Sequence, residues 1–115
     1  MIQSNELRIG NLVSFGEEIK KVIEITEDAF YVLDKDGTTL KNTWAEIKPI
    51  PLTEEWFLKC KSNSIFNNGF EYKKTSTGRF EIYAGTILIT VIEFVHELQN
   101  LNFALLGEDV IIENY

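Results

Sequence analysis

The residues best suited to chemistry in this sequence are few, and they lack the neighbours that catalysis needs. His96 is the single histidine and has Glu93 and Glu97 nearby, but acid/base or metal chemistry requires several groups that meet in one pocket. Cys60 lies between two lysines, which lower the pKa of a thiol only where their ammonium groups converge on it. Because neighbours in a helix point in different directions, we expect an exposed or partly buried structural histidine and a buried structural thiol.

Motifs of known catalytic or cofactor chemistry are absent from the sequence. It contains no Gly-rich phosphate loop, no Gly-x-Ser-x-Gly elbow and no His-Glu-x-x-His pair. The stretch Asp34-x-Asp36-Gly37 resembles the start of a calcium loop but lacks the later ligands, so it is better interpreted as a hairpin turn. A single cysteine also excludes an intrachain disulfide and a cysteine-based zinc site. We therefore predict a protein that is not an enzyme and has no catalytic residue, cofactor or metal site.

The charge of the chain is acidic and unevenly distributed. Eighteen acidic and eleven basic side chains give a formal net charge of −7, and residues 93–115 carry five acidic residues and no Lys or Arg. This balance disfavours a large phosphate-binding surface and favours a basic partner. We predict that Glu108, Asp109 and Glu113 supply charge to a partner-binding surface. Tyr115 would be its aromatic anchor.

One stretch favours the opposite class of ligand. Lys73, Lys74 and Arg79 surround a predicted hairpin that also carries three aromatic residues, Tyr72, Phe80 and Tyr83. Basic groups interleaved with aromatic rings bind single-stranded nucleic acid through charge and stacking, although aromatics at alternate strand positions more often face a core. Direct nucleic-acid binding is therefore the alternative function.

The elements that would position these residues form an α+β pattern. Short β-branched and aromatic runs between residues 11 and 51, separated by turn signals, predict five strands in a small SH3-like β-barrel. Prolines near residue 50 suit an edge strand there. Thr53, with two glutamates after it, predicts the capped start of a short helix that ends near Ser62.

A second β-meander and an amphipathic helix complete the prediction. We expect a loop at 63–69, strands around the Thr75–Gly78 turn, a further strand over 86–92, and a helix over 93–106 that Gly107 ends. The apolar stripe of that helix is predicted to be Phe94, Val95, Leu98, Leu101, Ala104 and Leu105. Residues 110–112 are either a last strand or an apolar tail docked on a neighbour.

These elements predict one domain over 1–115, with subregions 1–51 (the barrel) and 52–115 (helix, meander and helix). The N-terminus lacks the layout of a signal peptide and no apolar run is long enough to span a bilayer. We expect a cytoplasmic protein of a reducing compartment without membrane contact. The sequence does not predict its oligomeric state.

Three stretches in order along the chain carry a resemblance to known proteins. They are residues 5–11 (Asn-Glu-Leu-Arg-Ile-Gly-Asn), 50–56 (Ile-Pro-Leu-Thr-Glu-Glu-Trp), and 95–108 with His-Glu-Leu-Gln-Asn-Leu and Phe-Ala-Leu. The sequence resembles a family of small uncharacterised proteins encoded by bacterial phages, prophages and other mobile elements, and residues 61–68 depart from its pattern. The resemblance implies a bacterial host and supplies no functional residues.

These observations combine into two functional expectations. The first is a phage or mobile-element accessory protein that binds and modulates a host protein, such as a CRISPR effector, which would make it an anti-CRISPR inhibitor of host defence. The second is the small nucleic-acid-binding module built from the barrel and the basic hairpin. Only the mobile-element context favours a defence enzyme as the target.

Overall fold

A computed structural model describes residues 7–15, 18–25, 30–33, 39–42, 47–113 and 115. They form two antiparallel sheets and two α-helices, which confirms the predicted α+β class. The chain divides into two compact units, Met1–Ile50 and Pro51–Tyr115.

The N-terminal unit is a five-stranded antiparallel sheet. Its strands are β1 (Leu12–Phe15), β2 (Glu18–Ile25), β3 (Phe30–Leu33), β4 (Thr39–Asn42) and β5 (Ile47–Lys48). Their order is β4-β3-β2-β1-β5, so the first strand pairs with both the second and the last. Val13, Val22, Val32 and Ile47 pack with Leu7 in a buried apolar cluster. The buried positions of β2 are Lys20 and Val22, which are two residues apart and therefore belong to one face of the strand.

The sheet of the N-terminal unit is open among the described residues. No pairing joins β4 to β5 there, whereas a closed barrel would have no free edge. The predicted edge strand near residue 47 is confirmed, since β5 ends the strand order. The predicted hairpin turn at Asp34–Gly37 lies outside the described residues.

The C-terminal unit holds both helices and the second sheet. Its elements are α1 (Glu54–Lys59), a 3₁₀ turn (Ile65–Asn67), β6 (Phe70–Lys74), β7 (Phe80–Ala84), β8 (Ile87–Ile92) and α2 (Val95–Leu106). The three strands form a meander in the order β6-β7-β8, as predicted. Phe80 and Ile82 of the central strand are fully buried and face the interior of the unit.

The start of the C-terminal unit differs from the prediction in three ways. Helix α1 ends at Lys59 rather than near Ser62, and the side chain of Thr53 makes no capping hydrogen bond. Residues 63–69 are not a plain loop, because Ile65–Asn67 forms a 3₁₀ turn. The hydroxyl of Ser64 accepts the Phe66 N–H at 3.2 Å and thereby caps this turn.

Helix α2 begins at Val95, two residues later than predicted, and ends at Leu106 as predicted. Glu97 Oε1 accepts the backbone N–H groups of Glu93 and Phe94, each at 3.0 Å, which satisfies donors at the N-terminus. Gly107 has φ of +75° and donates to the Phe103 carbonyl at 2.8 Å, so it provides the left-handed stop that glycine adopts without strain.

The buried face of α2 is more polar than predicted. The buried residues are Val95, His96, Leu98, Gln99 and Asn102. The predicted apolar stripe is therefore wrong in part, since Leu101 and Leu105 are half-buried and Ala104 is exposed. The face is rotated towards Asn102 because this side chain satisfies backbone groups of neighbouring segments, which an apolar residue could not do.

Among the described residues, no helix has both the length and the apolar character needed to span a membrane.

Candidate functional site

The C-terminal segment, residues 108–113, is paired with residues 59–63 of its own unit. Lys61 N–H donates to the Ile111 carbonyl and Glu113 N–H to the Lys59 carbonyl, each at 2.8 Å, on either side of an antiparallel bridge from Cys60 to Ile112. Val110 and Ile112 are buried, whereas Ile111 between them is 58% exposed. The segment is therefore an extended strand-like element docked on its own unit, which resolves the two alternatives for 110–112.

Two asparagine side chains hold this segment in place. Asn63 Nδ2 donates to the Asp109 carbonyl at 2.8 Å, and Asn63 Oδ1 accepts the Ile111 N–H at 3.0 Å. The amide of one side chain thus pairs with the segment as a neighbouring strand would. Asn102, which is fully buried, donates to the Glu108 carbonyl at 3.1 Å from α2.

Asn102 also connects the segment to the 3₁₀ turn. Its Oδ1 accepts the Ile65 N–H at 2.8 Å, and its Nδ2 donates to the Asn63 carbonyl at 3.3 Å. One buried side chain therefore fixes the turn, the loop before it and the start of the C-terminal segment. Removing it would leave buried backbone groups without partners, which costs more than the loss of a single exposed hydrogen bond.

The predicted acidic residues lie on the exposed side of this fixed segment. Glu108, Asp109 and Glu113 are all exposed, whereas Val110 and Ile112 are buried; alternation about these two residues accounts for the exposure of Asp109 and Glu113. The structure thus brings the three carboxylates onto one segment with a defined backbone. Asp109 also takes part in the pairing through its backbone carbonyl.

Tyr115, the predicted aromatic anchor, packs within its own unit. Its ring lies 5.6 Å from the Trp56 ring, centroid to centroid, at an angle of 36°. Lys59 Nζ lies 4.8 Å from the Trp56 centroid and 5.8 Å from that of Tyr115. Both distances allow a cation–π interaction. The tyrosine remains 41% exposed, so a partner could reach part of it next to a lysine.

The environment of Cys60 suits a structural thiol. Its Sγ lies 3.3 Å from the Trp56 carbonyl, and burial raises the pKa of the thiol to about 11. Since the thiolate is the nucleophilic form, this raised pKa disfavours reactivity at neutral pH. The residue was predicted to be buried and is half-buried, because it caps the end of α1 next to the C-terminal segment.

His96 is more deeply buried than predicted. It is 1% exposed and stacks on Phe94 with ring centroids 5.9 Å apart and planes within 10°. The expectation of an exposed or partly buried side chain is wrong, because position 96 falls on the inner face of α2. Within the described part of the chain, no group of three or more His, Cys, Asp and Glu side chains has metal-site geometry.

Two of the three basic side chains of the predicted nucleic-acid surface are close to acidic residues. Lys73, Lys74 and Arg79 are all exposed at the hairpin of β6 and β7. Arg79 Nε lies 3.5 Å from Glu93 Oε2, and Lys73 stands directly across the strand pair from Glu81. These acids offset part of the positive charge that phosphates would need.

The aromatic rings of the hairpin face the core or their neighbours. Phe80 is fully buried, and Tyr72 packs on Phe57, Phe66 and Phe80 at centroid distances of 4.2 to 5.8 Å. The Tyr83 hydroxyl donates to Glu81 at 3.1 Å, and this hydrogen bond raises the tyrosine pKa. The hairpin therefore lacks a row of free rings on which bases could stack.

Sequence reasoning missed the residues that fix the acidic segment. Asn63 and Asn102 lie in a predicted loop and on a predicted helix, and a lone asparagine carries no pattern. One signal was available, since Asn102 interrupts the apolar period of α2 between Leu98 and Leu105. A polar residue at a core-facing helix position indicates a buried hydrogen-bond partner.

Comparison of the sequence with protein-family models and with curated proteins, and of the fold with solved structures, returns no significant match.

Proposed function

We propose that this chain is a non-enzymatic accessory protein that binds a host protein through its C-terminal segment. The observation that supports this function most is the geometry of that segment. Glu108, Asp109 and Glu113 are exposed on a backbone that Asn63, Asn102 and the pairing with residues 59–63 hold in one conformation. A loose acidic tail would provide the same charge but no fixed spacing.

A fixed spacing of carboxylates matters because binding costs conformational entropy. A segment already ordered before it meets its partner loses little freedom on association, so more of the interaction energy appears as affinity. Exposed carboxylates attract a basic surface and steer the approach, and this raises the association rate at low salt. The exposed part of Tyr115 and the exposed Ile111 add apolar area beside the charges.

The partner that this surface fits is a basic protein, and nucleic-acid-handling enzymes are a class with basic grooves. The resemblance to proteins of phages and mobile elements makes a bacterial host and a cytoplasmic location part of the proposal. In that context an inhibitor of a defence nuclease, such as an anti-CRISPR protein acting on a CRISPR effector, is the specific form that we propose.

We also propose an SH3-like character for the N-terminal unit. The pairing of β1 with both β2 and β5 brings the first and last strands together, which is the arrangement that a small, strongly bent barrel requires. The bulge in β2 at Val22 and Glu24 favours the strand bending that such a fold needs. This unit would act as a scaffold in the proposed function.

The test is a pull-down from lysate of the bacterial host, with and without nuclease, using three proteins. They are the wild type, Glu108→Lys/Glu113→Lys, and the control Glu24→Lys/Glu71→Lys. The control changes the net charge by the same amount at two exposed glutamates elsewhere. We expect a nuclease-resistant partner that the wild type and the control retain and the C-terminal variant loses.

The purified partner then allows a quantitative measurement. Its affinity for the wild type should fall as salt rises from 50 to 500 mM, because the interaction depends on exposed charges. Loss of binding in both variants alike would show that only net charge matters and would contradict the assignment to the C-terminal segment. Recovery of nucleic acid alone, abolished by nuclease, would instead support the hairpin of Lys73, Lys74 and Arg79.

A further inference from the structure

The ammonium group of Lys59 lies on a pair of aromatic rings. Its Nζ is 4.8 Å from the centroid of the Trp56 ring and 5.8 Å from that of Tyr115, and the two rings are 5.6 Å apart. Both distances fall within the roughly 6 Å over which the face of an aromatic ring attracts a cation. The structure therefore shows a cation site with a cation in place, and this cation belongs to the chain itself.

Backbone contacts position the two rings of this site. Trp56 is buried on α1, three residues before Lys59, a spacing that places both side chains on the same side of a helix. Tyr115 N–H donates to the Ile112 carbonyl at 3.1 Å, and Ile112 is bridged to Cys60 directly after α1. The rings are thus held by the fold, whereas the ammonium group lies at the end of a flexible aliphatic stem.

Lys59 makes no ion pair within the described part of the chain, although an acidic residue is its neighbour. Glu113 N–H donates to the Lys59 carbonyl at 2.8 Å, next to the bridge from Cys60 to Ile112. The ion pairs between described residues involve other cations. A lysine held by rings alone is weakly bound, because a cation–π interaction near solvent is small. Another cation can therefore displace it, and the exposed Glu113 carboxylate is left for a partner.

We propose that the Trp56–Tyr115 ring pair receives an arginine side chain of the basic partner, and that Lys59 is the internal cation which this arginine displaces. This role rests on the proposed function, since it identifies the group that the partner brings to the acidic surface. Tyr115 is 41% exposed, so part of its ring is already open to a partner. When Lys59 moves away, the face of Trp56 that it covers becomes available as well.

Arginine suits this site better than lysine for two reasons. A guanidinium group is planar and weakly hydrated, so it stacks on an aromatic ring at a lower desolvation cost than an ammonium group. It also forms two parallel hydrogen bonds to a carboxylate, and Glu113 provides an exposed carboxylate two residues before Tyr115. A partner lysine would only exchange with an equal group, whereas a partner arginine gains the difference. Lys59 therefore makes the surface selective for arginine.

Binding of N-acetylarginine amide tests the ring pair without the host partner. The chain has two tryptophans, so Trp44→Phe assigns the indole N–H signal of Trp56 in the NMR spectrum. In Lys59→Gln this signal should shift with a half-saturation concentration that is lower than in the wild type by about threefold or more, because the internal competitor is gone. N-acetylcitrulline amide has a similar shape without the charge and should cause no saturable shift. Equal half-saturation in the two proteins would overturn the proposal.

Both rings should be needed for this binding. In the Lys59→Gln background, Tyr115→Leu removes one ring but keeps an apolar side chain, and it should raise the half-saturation concentration by about threefold or more. Tyr72→Leu is the matched control, since Tyr72 is 38% exposed and packs on Phe57 in a different aromatic cluster of the same unit. This control should leave the value unchanged. An unchanged value in Tyr115→Leu would contradict the ring pair as the site.

Three variants extend the test to the purified host partner. Lys59→Gln should lower the Kd by about three- to tenfold, because the ring pair is vacated. Lys61→Gln removes the same charge from an exposed residue beside the acidic segment that lies on no ring among the described residues, so it should change the Kd by no more than about twofold. Lys59→Arg should raise the Kd, since an internal guanidinium group competes directly with the partner's. Equal changes in Lys59→Gln and Lys61→Gln would show that only net charge matters.

This arginine site and the proposed binding of a host protein can fail separately. Capture of a partner that depends on Glu108 and Glu113, together with an unchanged Kd in Lys59→Gln, would support the proposed function and overturn the arginine site. Saturable binding of N-acetylarginine amide to the ring pair, without any nuclease-resistant partner in the lysate, would support the arginine site and contradict the proposed function.

Discussion

The C-terminal segment and strand β8 are both extended stretches of the same unit, but the chemistry of their exposed side chains differs. The C-terminal segment buries Val110 and Ile112 and exposes carboxylates, with Ile111 as its one exposed large apolar residue. Strand β8 exposes apolar side chains and has no charge. The two exposed sides therefore differ in the chemistry that they offer to a partner, charge in the first stretch and apolar area in the second.

The two stretches also differ in what holds them. Strand β8 is held by a backbone ladder to β7 that contains one bulge. The C-terminal segment depends on a few specific groups, mainly the amides of Asn63 and Asn102 and the side chain of Ile112 in its buried position. Single substitutions should therefore disturb the C-terminal segment much more than they disturb the fold of the meander.

Alternation along the C-terminal segment predicts opposite effects at two neighbouring isoleucines. Ile112→Ala should lower the free energy of unfolding of the unit by about 3 kcal/mol, because it removes buried apolar atoms and leaves a cavity. Ile111→Ala should change it by no more than about 0.5 kcal/mol, because its side chain is mostly exposed. Urea unfolding of the two variants measures both values. Equal effects would show that the segment has no fixed inner side.

The thiol of Cys60 reports how firmly the segment is docked, since it lies at the bridge to Ile112. Burial raises the pKa of this thiol from 9.0 to about 11, so the thiolate fraction at pH 8 is lower by about 100-fold. Alkylation by iodoacetamide at pH 8 should therefore be about 100-fold slower in the folded protein than in urea-unfolded protein. The rate should rise about tenfold per pH unit towards pH 11. Rapid labelling at pH 8 would show that the segment opens readily.

Replacing Asn102 should destabilise the C-terminal unit more than the replacement of one helix residue usually does. Asn102→Ala removes three hydrogen bonds and leaves the buried Ile65 N–H without its acceptor, so we expect a loss of about 2 kcal/mol. Hydrogen exchange should show reduced protection at Ile65 and Ile111. Asn67→Ala is the matched control, since that exposed side chain makes one long hydrogen bond of 3.4 Å. Unchanged exchange at Ile111 in the Asn102 variant would contradict a connection between the turn and the segment.

The secondary structure was predictable where local patterns decide it. The α+β class, the meander and the Gly107 stop follow from alternation, turn residues and the conformational freedom of glycine. The 3₁₀ turn and the end of α1 at Lys59 were not predictable, because the stretch 61–68 is organised by Asn102 from α2. A contact across about 40 residues leaves no periodic trace in the local sequence.

The candidate site was predictable in composition but not in geometry. Charge counting identified Glu108, Asp109 and Glu113 as an acidic group, and the structure shows that they share one docked segment. The sequence could not predict that Tyr115 packs on Trp56, because the two residues are far apart in the chain. Nor could it predict the bulge in β8, which appears only in the register with β7.

The smallest expected change in the free energy of unfolding comes from Tyr115. The question is whether its ring stabilises its own unit or mainly contacts the partner. Tyr115→Ala removes the contact with Trp56 and the cation–π interaction with Lys59, which should lower the free energy of unfolding by about 1 kcal/mol. Tyr115→Phe keeps the ring and should stay within about 0.3 kcal/mol of the wild type. A loss in both variants would instead assign the effect to the hydroxyl. A further outcome is that neither variant changes stability while Tyr115→Ala still weakens capture of the host protein. In that case the ring mainly contacts the partner, and Tyr115 and the acidic segment form one interface.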